Sequence, residues 1–177
     1  MPKISIAAFV FLTCTLVAIS TLGAITLLSA DAFRHLYQER INDELAAYSQ
    51  ITAEASRPFM RAQDYEALNA FCRSSAANHV TRITIILPDG RVVADSESDP
   101  KVMDNHAGRE EVVQALQSGR GRAVRFSTTL GVNMFYYART VTDGNVLLGV
   151  VRVALPSEKL GAALQRIQVR ILLGACI

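Results

Sequence analysis

The chain has 177 residues, of which 50% are hydrophobic and 19% are charged, and its formal net charge at pH 7 is +2. That excess comes from Lys3 and Arg170, because residues 31–166 carry 16 basic and 16 acidic side chains. A segment without net charge lacks the overall electrostatic attraction that nucleic-acid binding proteins use. Its length is typical of one domain with one hydrophobic core.

The first predicted element is a transmembrane helix at the N-terminus, over residues 1–30. Residues 4–30 contain no charged side chain, and about 20 helical residues suffice to cross a bilayer core of roughly 30 Å. A cleaved signal peptide is an alternative, but this run is longer than the apolar stretch of such a peptide. Because Lys3 precedes the run, the distribution of positive charge predicts that residues 31–166 lie outside the cytoplasm. In a bacterium, these residues would lie in the periplasm or outside the cell, and the anchor in the inner (cell) membrane.

Two helices are predicted after the membrane. The first runs from about Asp31 to Ser56 and has apolar side chains every three to five residues, which is the spacing of one helical stripe. This stripe packs either on the chain's own sheet or on the same helix of a second copy in a parallel dimer. Arg57-Pro58 is the first predicted stop, and a second helix is predicted over residues 63–78.

The middle of the chain changes to a strand pattern. The predicted strands cover residues 81–87, 91–95, 122–128, 134–142 and 146–155, with a short helix at residues 109–117. Tight turns such as Pro88-Asp89-Gly90 favour an antiparallel meander and an α+β fold over a parallel sheet. The last strand, VLLGVVRVAL, is almost entirely apolar, which is typical of a central strand covered on both faces.

A further helix is predicted from Ser157 onward, continuing into the apolar sequence ILLGACI. We predict that residues 31–166 form the extracytoplasmic domain and that residues 167–177 begin a second transmembrane helix, which is truncated. A domain joined to membrane helices at both ends can transmit a movement across the bilayer.

The residues that usually carry catalysis or bind metals show no productive spacing. The three histidines and three cysteines fit neither a metal motif nor a disulfide framework. No serine lies in a nucleophile elbow. Cys72 is predicted to be a buried structural thiol. The sequence therefore predicts no catalytic residue, no metal ligand and no cofactor within this chain.

A candidate ligand-binding region lies in the second half. Four arginines and no acidic residue occur between Glu111 and Asp143, interleaved with phenylalanine and tyrosine. Arginine forks and tyrosine hydroxyls suit a carboxylate, a phosphate or another small anion, and aromatic rings suit an organic body. The alternative is that these arginines are solvated and the aromatics form the core. The candidate ligand residues are Arg125, Tyr137, Arg139, His106 and Arg109.

Several stretches of the second half carry a family resemblance. They are residues 103–106 (MDNH), 109–112 (REEV), 114–116 (QAL), 119–121 (GRG), 125–131 (RFSTTLG), 134–138 (MFYYA) and 148–156 (LGVVRVALP). This pattern resembles the extracytoplasmic sensor region of bacterial membrane histidine kinases, especially those similar to the phosphate-regulon sensor kinase.

The resemblance implies a Cache/PAS-like fold with a long N-terminal helix, a five-stranded antiparallel sheet and a C-terminal helix that enters a second span. It implies a homodimer and a missing cytoplasmic kinase that uses ATP and magnesium and acts on a response regulator. The expected function is the sensor and anchor portion of a two-component histidine kinase. The alternatives are the sensor region of a chemoreceptor or of a diguanylate cyclase, and a membrane-anchored binding module without signalling output.

Overall fold

The computed structural model describes residues 5–77, 81–127 and 132–156, and the chain divides into two compact units, residues 1–39 and residues 40–177. The helices of the described ranges are α1 (Ile6–Ala62), α2 (Tyr65–Ala76), a 3-10 turn (Pro100–Val102) and α3 (Glu110–Ser118). The strands are β1 (Arg82–Ile86), β2 (Val92–Asp95), β3 (Arg120–Ser127), β4 (Val132–Asp143) and β5 (Val146–Pro156). The C-terminal helix and the second span predicted from the sequence lie outside the described residues.

The first unit contains the N-terminal part of α1. Within it, Ile6–Ser29 is long and apolar enough to cross a membrane by length and composition, with a mean hydropathy of 2.2. None of this segment is buried inside the protein. It therefore fits the predicted membrane anchor.

The prediction that the first helix stops at Arg57-Pro58 is wrong, because α1 continues to Ala62 with Pro58 inside it. A proline inside a helix removes one backbone donor and crowds the preceding turn. Met60 follows the proline and is only 4% exposed, and the burial of its side chain favours continuation of the helix. The break comes at Gln63, whose φ of 54° is left-handed. Asp64 then caps α2 by accepting a hydrogen bond from the backbone N–H of Ala67 at 3.0 Å.

The second unit is built on one antiparallel sheet with the strand order β2-β1-β5-β4-β3. The predicted α+β class and the central position of the last strand are confirmed. The predicted meander is wrong in one respect, because β5 lies between β4 and β1 and thereby joins the β3-β4-β5 meander to the β1-β2 hairpin. Residues 149–155 of β5 are all buried, and a strand so apolar is most stable with both edges paired and both faces covered.

The two faces of the sheet have different covers. On one face, Arg139 of β4 donates a hydrogen bond to the hydroxyl of Ser49, in the part of α1 that belongs to the second unit. On the other face, α3 packs its buried Val112 and Ala115 against Ile86, Ala138 and other core residues. This second face also carries the polar side chains described below.

One glycine sets how closely α3 approaches the sheet. A Cβ atom at Gly121 would lie 2.1 Å from the carbonyl oxygen of Glu111 and 2.8 Å from the backbone nitrogen of Ala115. Any larger residue at this position would push α3 away from β3. The close approach brings the first turn of α3, with the Glu111 side chain, down onto the sheet.

Candidate ligand-binding cavity

A cavity of about 230 Å³ lies on the α3 face of the sheet, under the loop between the 3-10 turn and α3. We call it the polar cavity. Its lining residues are Arg82, Ser98, Val102, Met103, Asp104, His106, Arg109, Arg125, Ser127, Tyr136 and Arg152. Four of these side chains carry a positive charge, and only that of Asp104 carries a negative one.

Strand alternation brings the sheet side chains of the cavity together. Successive side chains in a strand point to opposite faces, so Arg82 and Thr84 of β1 share one face. Thr84 pairs with Arg152 of β5 in the antiparallel register. Tyr136 of β4 pairs with Ala154, two residues along the same face of β5. The cavity therefore draws side chains from the three central strands, and Arg125 and Ser127 are added by the edge strand β3.

The loop that carries His106 is fixed to the β1-β2 hairpin. The backbone N–H of His106 donates to the carbonyl of Gly90 at 2.8 Å, and the side-chain amide of Asn105 donates to the carbonyl of Asp89 at 2.9 Å. Gly90 has a φ of +87°, and a Cβ atom there would lie 2.2 Å from Asn105 Oδ1. Only glycine suits both the turn and this contact. The predicted Pro88-Asp89-Gly90 turn thus positions the histidine at the cavity wall.

The Arg82 side of the cavity is held by a buried carboxylate. Asp95 is fully buried and accepts hydrogen bonds from Arg82 Nε at 3.1 Å and from the hydroxyl of Thr84 at 2.8 Å. It also accepts hydrogen bonds from the backbone N–H groups of Glu97 and Ser98. These hydrogen bonds hold the carboxylate of Asp95 and the guanidinium of Arg82 in fixed positions. Arg82 is therefore a largely neutralised part of the wall.

A second buried carboxylate joins two arginines. Glu111 Oε1 lies 3.2 Å from Arg125 Nη2 and 3.4 Å from Arg152 Nη1, and Arg152 Nη2 also donates to the hydroxyl of Thr84 at 3.0 Å. The ring of Tyr136 lies 4.2 Å from the guanidinium carbon of Arg125 and 5.1 Å from that of Arg152. The negative face of the ring attracts both cations. Two like charges are thereby held next to each other at one carboxylate.

The cavity is electrostatically suited to an anion. Asp95 and Glu111 lie behind the wall and pair with three of the four arginines, and the partly exposed Glu97 lies 3.7 Å from Arg82. Arg109 has no ion-pair partner among residues 5–77, 81–127 and 132–156. In the same ranges, several buried polar atoms have no hydrogen-bond partner within the protein. Those near the cavity are His106 Nδ1, Glu111 Oε2, Arg125 Nε and Arg152 Nε. Buried polar groups without partners are costly, so a bound polar molecule would stabilise the cavity.

The cavity also changes the titration of its histidine. The pKa of His106 is lowered to about 4, first by burial and then by the positive charges of Arg152 and Arg109. The hydrogen bond with the Asp104 backbone and the charge of Glu111 oppose this shift but are weaker. Burial likewise lowers the pKa of Arg152, against the opposing effect of Glu111. His106 is therefore neutral at pH 7 and can accept or donate one hydrogen bond without adding charge.

We expect His106 to make the protein sensitive to acid. Its pKa of about 4 in the folded state is below the value of about 6.5 in an unfolded chain. The contribution of neutral His106 to the free energy of unfolding is therefore complete above pH 6.5 and is lost as the pH falls towards 4. The loss in melting temperature between pH 7 and pH 4.5 is expected to be smaller in His106→Gln than in wild type, by about 5 °C. Differential scanning calorimetry measures it, with His35→Gln as the control. Equal losses in wild type and His106→Gln would contradict this assignment.

The structure divides the five candidate ligand residues into two groups. Arg125, His106 and Arg109 line the polar cavity together. Tyr137 and Arg139 lie on the opposite face of the sheet, where Arg139 contacts Ser49 and Tyr137 lines a separate cleft beside α1 and β3. Cys72, predicted as a buried thiol, is fully buried, and burial raises its pKa to about 12.

Four important residues of the cavity were not predicted from the sequence. They are Arg82, Glu111, Tyr136 and Arg152. Arg152 did leave a signal, since it is the only charged residue in the apolar sequence of β5, and a charge in a buried strand requires a partner. Glu111 left none, because its partners lie 14 and 41 residues away in the sequence.

Comparisons with known proteins identify the architecture. No protein-family model matches the chain, and no curated protein matches it. Among solved structures, the extracellular domain of the putative histidine kinase vpHK1S-Z8 aligns with a TM-score of 0.62 at 14% identity, covering 83% of this chain and 63% of that one. The Vibrio cholerae histidine kinase DctB sensor domain aligns with a TM-score of 0.58 at 15% identity, covering 78% and 56%.

A chemoreceptor shows the same likeness. The ligand-binding domain of the Campylobacter jejuni chemoreceptor Tlp3, in complex with 4-methylisoleucine, aligns with a TM-score of 0.58 at 15% identity, covering 80% of this chain and 60% of that one. The fold is that of a Cache-like sensor domain. The predicted Cache/PAS-like fold is thereby confirmed, whereas the particular similarity to the phosphate-regulon sensor kinase stays a prediction. The chain spans about 60% of the length of the Tlp3 chain.

Proposed function

We propose that this chain is the sensor and membrane-anchor portion of a bacterial two-component histidine kinase and that it responds to a small anionic ligand in the polar cavity. The observation that carries the proposal is the set of four arginines around a cavity whose described lining residues include one acid, Asp104. Guanidinium groups recognise carboxylate and phosphate oxygens through paired hydrogen bonds. The Cache-like fold, which kinase and chemoreceptor sensor domains share, supports a sensing role.

The size of the cavity favours a small metabolite. Pockets for drug-sized ligands occupy about 300–1,000 Å³, and the polar cavity, at about 230 Å³, is smaller. Tlp3 binds an amino acid, 4-methylisoleucine, which carries a carboxylate. We therefore propose a carboxylate of a few carbon atoms as the ligand class, with Arg109 and Arg125 as the residues that bind the carboxylate and His106 as a neutral hydrogen-bonding partner.

The fold suggests how binding would reach the membrane. Arg152 lies on β5, the last described strand, after which the chain continues for 21 residues from Ser157 to Ile177. A shift of β5 would therefore be passed directly to the C-terminal segment. We propose that residues 31–166 lie in the periplasm or outside the cell, that the protein forms a homodimer in the inner membrane, and that a cytoplasmic kinase using ATP and magnesium transfers the signal to a response regulator.

A chemoreceptor or a diguanylate cyclase with the same sensor region is the second candidate, and the similarity to Tlp3 favours the chemoreceptor of these two. A membrane-anchored binding module without signalling output would use the same cavity. The three possibilities share the ligand-binding step and differ in the output, if any, that binding controls.

The ligand-binding step is tested by thermal unfolding of the whole chain in detergent micelles. Acetate, succinate, L-alanine, phosphate and sulfate are added at 10 mM, with sodium chloride adjusted to constant ionic strength. A ligand at ten times its Kd stabilises a folded protein by about 1.4 kcal/mol, which raises the melting temperature by several degrees. At least one of these compounds is expected to produce a saturable rise. The absence of any rise beyond that with sodium chloride alone would contradict the proposal.

A further inference from the structure

The buried carboxylate of Glu111, behind the polar cavity, contacts two arginines through only one of its two oxygen atoms. Glu111 is fully buried, and its Oε1 atom receives hydrogen bonds from Arg125 at 3.2 Å and from Arg152 at 3.4 Å, while Oε2 has no partner within the described ranges. Charge-assisted hydrogen bonds of this kind are usually 2.7–2.9 Å long. Both contacts are therefore long, and one carboxylate is shared between two cations.

The two arginines differ in how firmly they are held. The side chain of Arg152 is only 4% exposed and has Thr84 as a second partner. The side chain of Arg125 is 29% exposed and lines the polar cavity. Within the described ranges, it is held to the wall by one hydrogen bond, to Glu111, and by its contact with the ring of Tyr136. Arg125 is thus the arginine that can turn towards an anion in the cavity, whereas Arg152 remains in place.

We propose that Glu111 is a resident competitor of the ligand: an anion entering the cavity takes Arg125 from Glu111, and the Glu111 carboxylate then pairs with Arg152 alone. This inference rests on the proposed function of the cavity and adds how its affinity is set. Arg152 lies on β5, the last described strand. The proposed step changes the pairing of Arg152 with Glu111 and thereby the contacts of β5. The contacts of the anion with Arg125, Arg109 and His106 must therefore together offset the loss of the contact between Arg125 and Glu111.

Removal of the competing charge tests the proposal. Glu111→Gln keeps the size of the side chain and removes its charge, so the affinity for sulfate is expected to increase about tenfold, the equivalent of one charge-assisted contact. The matched control is Asp104→Asn, which removes the acidic side chain among the described lining residues; this side chain is exposed. Because the Asp104 side chain is solvated, loss of its long-range repulsion of sulfate is expected to raise the affinity by about threefold or less.

The measurement is isothermal titration of the whole chain in detergent micelles with sulfate at pH 7, where sulfate does not change its protonation. Equal increases in sulfate affinity in both variants would mean that Glu111 acts only through long-range repulsion, and this result would overturn the proposal. A weaker affinity in Glu111→Gln would overturn it as well, because Glu111 would then be holding Arg125 in position for the ligand. If sulfate, phosphate and the carboxylates bind neither the wild type nor Glu111→Gln, the proposed function itself fails.

A second measurement needs no variant and covers the case in which Glu111→Gln does not fold. In wild type labelled with carbon-13, the signal of the Glu111 side-chain carboxyl is expected to move as sulfate saturates the cavity, because one of its two cationic partners leaves. A binding isotherm by calorimetry with no movement of this signal would show that Glu111 keeps both arginines, and the exchange would be excluded while anion binding would stand.

Discussion

Replacement of Asp95 by alanine is expected to lower the free energy of unfolding by about 3–5 kcal/mol, the cost of leaving one partner of a buried ion pair unpaired. Asp95 is fully buried, and the side chain of Arg82 is 8% exposed. The variant removes the buried counter-charge of Arg82 and leaves its guanidinium, among the described residues, with only the longer ionic contact, at 3.7 Å, to the partly exposed Glu97. It also leaves the hydroxyl of Thr84 and the backbone N–H groups of Glu97 and Ser98 without their acceptor.

The control for Asp95→Ala is a second ion pair in the same domain that differs in burial. Asp143 contacts Arg61, and these side chains are 36% and 62% exposed. Exposed ion pairs contribute about 0–1 kcal/mol, so Asp143→Ala is expected to change stability by no more than that. Chemical denaturation with urea measures both variants. Similar losses of free energy of unfolding in the two variants would mean that burial does not determine how much the Asp95 ion pair stabilises the protein.

The local features of the fold were predictable because their causes are local. Pro88-Asp89-Gly90 predicts a turn from three adjacent residues, and the apolar composition of β5 predicts a central strand. The position of β5 between β1 and β4 was not predictable, because β1 and β5 are more than 60 residues apart in the sequence. The proline stop was predicted wrongly for a similar reason: propensity near Pro58 is a local quantity, whereas burial of Met60 depends on the tertiary structure.

The division of the candidate ligand residues has a single geometric cause. Alternation correctly predicts that Tyr137 and Arg139 share a face of β4. Whether Arg125 joins them depends on the register of the β3-β4 pair, in which Arg125 lies opposite Met134. A shift of one residue in that register would move Arg125 to the other face. The sequence of two strands does not determine this register, so the predicted arginine cluster divides into a cavity residue and residues on the α1 face.

The same division makes the two arginines a matched pair for testing where the ligand binds. Arg125→Gln removes a guanidinium from the polar cavity and is expected to weaken anion binding about 10- to 100-fold, since a hydrogen bond to a charged group contributes about 1.5–3 kcal/mol. Arg139→Gln removes the same charge from the same sheet on its opposite face, where the side chain contacts Ser49. Its effect on affinity is expected to be less than about twofold, because the charge lies outside the cavity.

The comparison between Arg125→Gln and Arg139→Gln also separates binding from folding. Loss of Arg125 removes one of two cations from Glu111 and leaves Arg152 in place, so the domain is expected to remain folded, with circular dichroism like that of wild type. Titration calorimetry with the carboxylate that gives the largest thermal shift then measures affinity. If Arg139→Gln weakens binding more than Arg125→Gln does, the ligand binds on the α1 face, in the cleft lined by Tyr137, and the assignment of the polar cavity is wrong.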